Sequence, residues 1–172
     1  MKIHVLHTGE VRVSPYLPFG GDNCNLLKAS GMTTPKKDWI WLPVSVYLIE
    51  HPKGLILVDT GWHRDMSPEG VYDKKAQIKS LGSWILYHVN HGHCDGLCAV
   101  KLTREDGRYV LLFSDGGYAT KSWKEMITSG VSLDKAMQRQ SLQWIREQSM
   151  DERCIESLAT HDTDIRPHVI EL

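Results

Sequence analysis

The chain lacks most of the features that would place a sequence in a class at first sight. Its 20 basic and 21 acidic residues leave a formal charge of −1, and neither sign forms a run, so the electrostatic footprint of a nucleic-acid or anionic-membrane partner is missing. No apolar stretch approaches the roughly 20 residues needed to span a bilayer. Residues 1–13, MKIHVLHTGEVRV, alternate in polarity where a secretory leader would show an unbroken apolar block. A cytoplasmic location, with no membrane and no nucleic-acid partner, is the expectation. The four cysteines, Cys24, Cys94, Cys98 and Cys154, show no CxxC spacing, which argues against a zinc ribbon, a redox motif or a disulfide framework. They are expected to be reduced thiols, mostly buried. Internal repeats and low-complexity tracts are also lacking.

What is present suffices for one core. The chain has 172 residues, 41% hydrophobic and 24% charged, the balance of a single globular domain spanning 1–172. KIHVL (2–6) reads as a first strand ended by Gly9 and Pro15, followed by a long loop or flap from Pro15 to Asp38. VSVYLIE (44–50), HPKG and LILVD (55–59) read as strand, tight turn and strand. A weak helical pattern covers Tyr72 to Leu81, and SWILYHVN (83–90) reads as a strand. LCAVKL (97–102), TREDG and RYVLLFSD (108–115) form a second hairpin with Asp106-Gly107 as its turn signal. Val110 to Phe113 are apolar on both faces, as in a strand covered on each side. A short helix is expected at 121–127. A longer one is expected from Leu133 to about Gln148, with Ser132 as N-cap and Leu133, Ala136, Met137, Trp144 and Ile145 on its core-facing stripe. CIESLA (154–159) is the last expected strand. The order of elements predicts an α/β fold of sheets layered with helices.

Polar groups follow the ends of these strands. His93, Asp115 and His161 are each the first polar group after an apolar strand, and imidazole with carboxylate is a ligand set for Zn, Fe, Mn or Co. Spacing alone leaves open whether they meet or are separate loop residues. Tyr118, three residues after Asp115, is either a donor to a developing oxyanion or a half-buried tyrosine. Asp59 in DTG is either a structural turn residue or a direct participant.

The blocks WLPVSVYLIEHPKGLILVDTGWH, GHCDGLCAVKL, VLLFSDGGYATKSW and THDTDIRPHVIEL, in that order, resemble the metallo-β-lactamase superfamily in its N-acyl homoserine lactonase-like branch. The resemblance covers nearly the whole chain. It implies an αββα sandwich and a metal-dependent hydrolase that opens a lactone ring by means of a metal-bound hydroxide. It also implies one or two divalent metals, zinc foremost, and a small-molecule lactone or ester as substrate. Carried over residue by residue, His93 binds the first metal, Asp115 bridges two, His161 binds the second, Tyr118 holds the lactone carbonyl, and Asp59 is the structural turn aspartate. The departure is as specific as the match. The family carries HxHxDH between the DTG turn and the Gly-His block, and no such motif occurs in this sequence. His91-Gly92-His93-Cys94-Asp95-Gly96 has glycine where the last histidine belongs, while His88 and His91 stand as surrogates. The resemblance therefore implies an internally truncated sandwich with a deletion junction near 77–90 and impaired activity. The alternative is a non-catalytic, truncated or ligand-binding remnant. A core cut short in this way is expected to expose apolar surface and to favour a homodimer.

Overall fold

The computed structural model of the chain describes residues 1–59, 98–132 and 134–172. The helical pattern at 72–81, the strand expected at 83–90 and the junction near 77–90 lie outside them.

Four strands, β1 (Lys2–Val13), β2 (Ile40–His51), β3 (Gly54–Val58) and β7 (His168–Glu171), form one sheet in the order β3-β2-β1-β7. A second sheet has the order β4-β5-β6, with β4 at Val100–Thr103, β5 at Tyr109–Leu112 and β6 at Cys154–Leu158. Both expected hairpins are present. The first closes with His51 opposite Gly54, the second with Thr103 opposite Tyr109. β6 joins β5 in parallel. β1 runs past the expected break at Gly9 to Val13, because a register shift between His7 and Gly9 absorbs the irregularity. β7 was not expected at all: four residues are too few for an alternation to register, and its place is fixed by pairing with Lys2 to Val5 of β1.

The two sheets face each other. Ile3, Val5, Tyr47, Ile49 and Ile170 of the first meet Val110, Leu112 and Leu158 of the second, all buried. The opposite face of β5 presents Tyr109 and Leu111, with Phe113 just beyond its end, to Trp123, Leu142 and Ile145. Those partners come from α3 (Thr120–Lys124) and α4 (Lys135–Met150). β5 is thus covered on both sides, as its apolar run requires, and the layers are sheet, sheet and helix.

α4 departs from expectation at its start and on its buried face. Its N-cap is Asp134, whose side chain accepts from Met137 N at 2.8 Å; Ser132 instead donates to the Asp134 carbonyl. The buried positions are Gln138, Leu142 and Ile145, whereas Met137 and Trp144 are 49% and 42% exposed. Gln138 turns inward because its Oε1 accepts from the buried Ser129 N at 3.0 Å, which satisfies a polar group that pattern reading assigns to solvent. Thiol burial is also less than expected: Cys98 is exposed and Cys24 and Cys154 are half-buried, while Cys94 lies outside the described residues.

The segment between β1 and β2 folds into α1 (Tyr16–Phe19), α2 (Leu26–Ala29) and a 3₁₀ turn at Lys36–Asp38. It is clipped to the stretch before α4 by two backbone bonds, Gly21 N to Thr128 O (2.8 Å) and Gly130 N to Leu17 O (2.9 Å). Thr128 Oγ1 donates to Asp22 at 2.8 Å, and Arg139 pairs with the same carboxylate. The crossing is tight: a Cβ on Gly20 would stand 2.7 Å from Gly130 Cα, and one on Gly130 would overlap the Tyr16 carbonyl oxygen.

Between the sheets, His168 of β7 faces Glu156 of β6 with Nε2 and Oε2 3.0 Å apart, while Nδ1 meets the Arg166 carbonyl at 2.7 Å. Burial works against charge on this ring, but both nitrogens face acceptors, and the net effect raises its pKa above the ordinary 6.5.

Two outcomes follow. Gly130→Ala should cost about 1–3 kcal/mol by overpacking, whereas Gly9→Ala, with open space around its Cβ, should stay within about 0.5 kcal/mol; urea denaturation of the two variants checks the contrast. A raised folded pKa means that the His168–Glu156 pair stabilises fully below pH 6.5 and loses its contribution as pH rises through the folded value. Thermal melts should therefore show His168→Gln narrowing its gap to the parent protein as pH rises from 5.5 to 8.5, from about 0.5–1 kcal/mol towards zero.

Candidate metal centre

Because β5 and β6 are parallel, their C-terminal ends leave the sheet at the same edge. After β5 the chain makes a 3₁₀ turn, Ser114–Gly116, entered with Ser114 at φ 46°. After β6 it continues through Ala159, Thr160, His161 and Asp162. A hydroxyl contact of 3.2 Å between Ser114 Oγ and Thr160 Oγ1 joins the two exits. The continuation of β6 is held by β2. β3 pairs with β2 only as far back as Tyr47, and before that point Ser45 and Pro43 of β2 bond to the segment after β6. Ser45 N donates to Thr160 O at 2.9 Å, Tyr47 Oη to Ala159 O at 2.8 Å, and the His161 Nδ1 to Pro43 O distance is 2.7 Å.

A carbonyl can only accept, so Nδ1 of His161 carries the proton in that contact. Nε2 is then turned to Asp115, 3.4 Å from Oδ1. Tyr118 stacks on the His161 ring, with centroids 5.5 Å apart and planes 21° apart, and is itself buried. Asp59 follows β3 with φ 64° and is exposed. Its charge reaches the same region: burial, followed by the carboxylates of Asp59, Asp162 and Asp115, holds the Tyr47 hydroxyl well above its ordinary pKa. Of the predicted site residues, the structure thus brings together Asp115, Tyr118 and His161, whereas Asp59 is linked to them only through its charge on Tyr47. His93, like His88 and His91, lies outside the described residues.

One important side chain was missed. Asp162 is 2% exposed; its Oδ2 accepts from Thr120 N at 2.7 Å and its Oδ1 from Asp164 N at 3.0 Å. It ties the segment that carries His161 to the start of α3, and so to the turn that carries Asp115. Its signal in the sequence was the THDTD run, where an Asp accepting from the amide two residues on is a common turn device.

The donor set bears on a metal in two ways. A neutral imidazole fixed by a backbone carbonyl on one nitrogen, with the other nitrogen beside a carboxylate, is the arrangement in which metal-ligating histidines are held. A cation beside Nε2 and Oδ1 would find one donor on each. Two donors are nevertheless fewer than a catalytic site ordinarily supplies, and among the described residues no group of three or more His, Cys, Asp and Glu side chains could hold a metal ion. A groove of about 770 Å³ along α4, lined by Asp22, Met126, Arg139 and Trp144, is elsewhere and contains none of the predicted site residues. Among the described residues no helix is long and apolar enough to cross a membrane.

No protein-family model and no curated protein matches the chain. Solved structures do. The chain is similar to a quorum-quenching N-acyl homoserine lactone lactonase, with a TM-score of 0.63 and 14% identity over 95% of this chain and 92% of that one. It is also similar to an N-acyl homoserine lactone hydrolase with the product N-hexanoyl-L-homoserine bound at its catalytic metal center, with a TM-score of 0.62 and 14% identity over 95% and 94%. A third is a B. thuringiensis AiiA mutant with N-decanoyl-L-homoserine at its active site, with a TM-score of 0.63 and 14% identity over 95% and 94%. The chain therefore has the fold of these lactonases.

Asp162→Ala should strip acceptors from two backbone amides and lower stability by about 1–3 kcal/mol. Urea titration reads the loss, and a variant as stable as the parent would show that Asp162 does not hold the two exits together.

Proposed function

We propose that the chain is a metal-dependent hydrolase of the metallo-β-lactamase type that opens the ring of N-acyl homoserine lactones, with turnover well below that of a complete site. The observation that carries this reading is the convergence of Asp115, Tyr118 and His161 where β5 and β6 end, on a lactonase fold. Asp115 and His161 would hold one divalent cation, zinc foremost, and by family resemblance His93 would serve a neighbouring one that Asp115 also reaches. When bound, the cation supplies Lewis acidity to the lactone carbonyl and lowers the pKa of water beside it. The chain's own groups do the remaining work. Pro43 O holds the His161 tautomer and leaves Nε2 as the coordinating nitrogen. The Tyr118 ring packs on that imidazole and limits its rotation, and its phenol is the donor proposed for the carbonyl oxygen as charge develops there. Asp59 shapes the turn after β3. The domain is a single unit over 1–172, shortened near 77–90 where the HxHxDH segment of the family belongs.

One observation favours a second reading, a ligand-binding remnant without turnover: HxHxDH is absent from the sequence, and with it most of the donors of a dinuclear site. Metal analysis and ring opening of N-hexanoyl homoserine lactone separate the two. As a hydrolase, the dialysed protein should hold less than one equivalent of zinc, gain it on titration, and open the lactone in proportion. The Asp115→Ala/His161→Ala double variant should lose at least tenfold in both. Lactone-induced stabilisation without product, unchanged by zinc or by the double variant, would establish the remnant.

A further inference from the structure

The residues that precede the two proposed ligands share a contact of their own. Asp115 follows Ser114 and His161 follows Thr160, and the two hydroxyls meet at 3.2 Å. Among the described residues, the backbone ladder between β5 and β6 ends one step earlier, where Phe113 N donates to Leu158 O at 3.0 Å. The hydroxyl contact is the next tie along both exits and lies directly before each ligand. Thr160 anchors it. This residue is 2% exposed, and its carbonyl accepts from Ser45 N at 2.9 Å, so it links the end of β6 to β2 through its backbone and to the end of β5 through its side chain.

Ser114 holds its place against local preference. Its φ of 46° lies in the left-handed region, where a Cβ crowds the following carbonyl oxygen and which glycine enters freely. Glycines stand at 116 and 117, yet the strained position itself carries serine. Such a conformation persists where the surroundings over-determine it. Here the surroundings include Thr160, 46 residues away in the chain, which only a side chain with a hydroxyl can engage in this way.

We infer that Ser114 and Thr160 are positioning residues of the candidate centre, their hydroxyl contact setting the separation of Asp115 and His161 and the stacking of Tyr118 on the His161 ring. Tyr118 leaves with the β5 exit and His161 with the β6 exit. Their ring contact, 5.5 Å between centroids, therefore spans the same gap as the 3.4 Å between Asp115 Oδ1 and His161 Nε2. Asp162 joins the same two segments further on, at Thr120 N, so Asp115 and Tyr118 lie between one tie before them and one after. The hydroxyls themselves act through the residues that follow them. Their effect on cation binding rests on the metal-centre reading proposed above; the ring geometry is independent of it.

Proton NMR of the metal-free full chain reads the geometry. Tyr118→Leu removes the ring and gives the reference position of the carbon-bound protons of His161. Thr160→Val keeps the branched shape without the hydroxyl and should move these protons most of the way from the parent position to that reference, whereas Thr160→Ser should leave them in place. Zinc affinity, measured by chelator competition on the same chains, should fall about tenfold in Thr160→Val, as for groups that orient metal ligands, and stay within about twofold in Thr160→Ser. Ser114→Gly relieves the strained φ and removes the other hydroxyl. It should keep the urea midpoint of the parent and still show the proton shift and the zinc loss, which a role confined to the fold would not produce. Combined with Thr160→Val it should lose no more than either alone, because both changes break one contact. His161 protons at the parent position in Thr160→Val and Ser114→Gly would overturn the inference, whether or not the parent binds zinc, and zinc held by Thr160→Val as tightly as by the parent would overturn its link to the cation. A parent chain that binds no zinc, with the protons moved as expected, would remove the metal-centre reading and support the positioning pair.

Discussion

The open side of β2 between Pro43 and Ser45 is the constraint on which the candidate centre depends. β1 occupies one side of this strand along its whole length, and β3 reaches back on the other only to Tyr47. The remaining groups are taken by the segment after β6: Ser45 N by Thr160 O and Pro43 O by His161 Nδ1. Pro43 has no N–H of its own to satisfy, which is why proline is tolerated at a position with only one ladder neighbour. A β3 two residues longer would compete for these groups and leave His161 without its anchor. The length of a hairpin arm in one sheet thus sets the orientation of an imidazole carried by the other.

Two histidines in this fold show how the partner of the second nitrogen changes the chemistry. His168 has a carbonyl on Nδ1 and a carboxylate on Nε2 at full hydrogen-bond distance, which suits an imidazolium. His161 has the same pair of partner types, but its carboxylate stands at 3.4 Å, beyond the ordinary range for such a bond. The first arrangement is a bridge between sheets. The second is a looser contact at the edge where β5 and β6 end, and place in the fold, rather than residue type, distinguishes a structural pair from a candidate binding site.

Much of this architecture was legible in the sequence because it rests on local chemistry. The hairpin at 51–54, the doubly buried run at 110–113 and the polar groups after strand ends all follow from periodicity and turn residues. What escaped depends on contacts between distant segments. β7 is a strand only because β1 is beside it, and Gly9 was read as a breaker although a register shift carries β1 through it. The face of α4 was misread because Gln138 is polar by type but satisfied by Ser129 N inside. In the centre, Asp115, Tyr118 and His161 were identified as candidates, yet the backbone carbonyl of Pro43 that orients His161 has no signature in any side-chain pattern. Asp162 shows in the sequence only as a turn residue beside a histidine with a more obvious use.

The first sheet has a topological consequence for synthesis. Its order β3-β2-β1-β7 places β1 between β2, which follows it closely in the chain, and β7, which comes long after it. The outer edge of β1 at Lys2 to Val5 and the interior position of Ile3 are both completed by residues 168–171. At typical elongation rates, roughly 10–30 s separate the emergence of the two strands. From the completion of β3 until β7 emerges, a nascent β1–β2–β3 meander leaves the ladder of β1 at Lys2 to Val5 without its late partner, and it is at this stage that chaperone occupancy has the most to act upon.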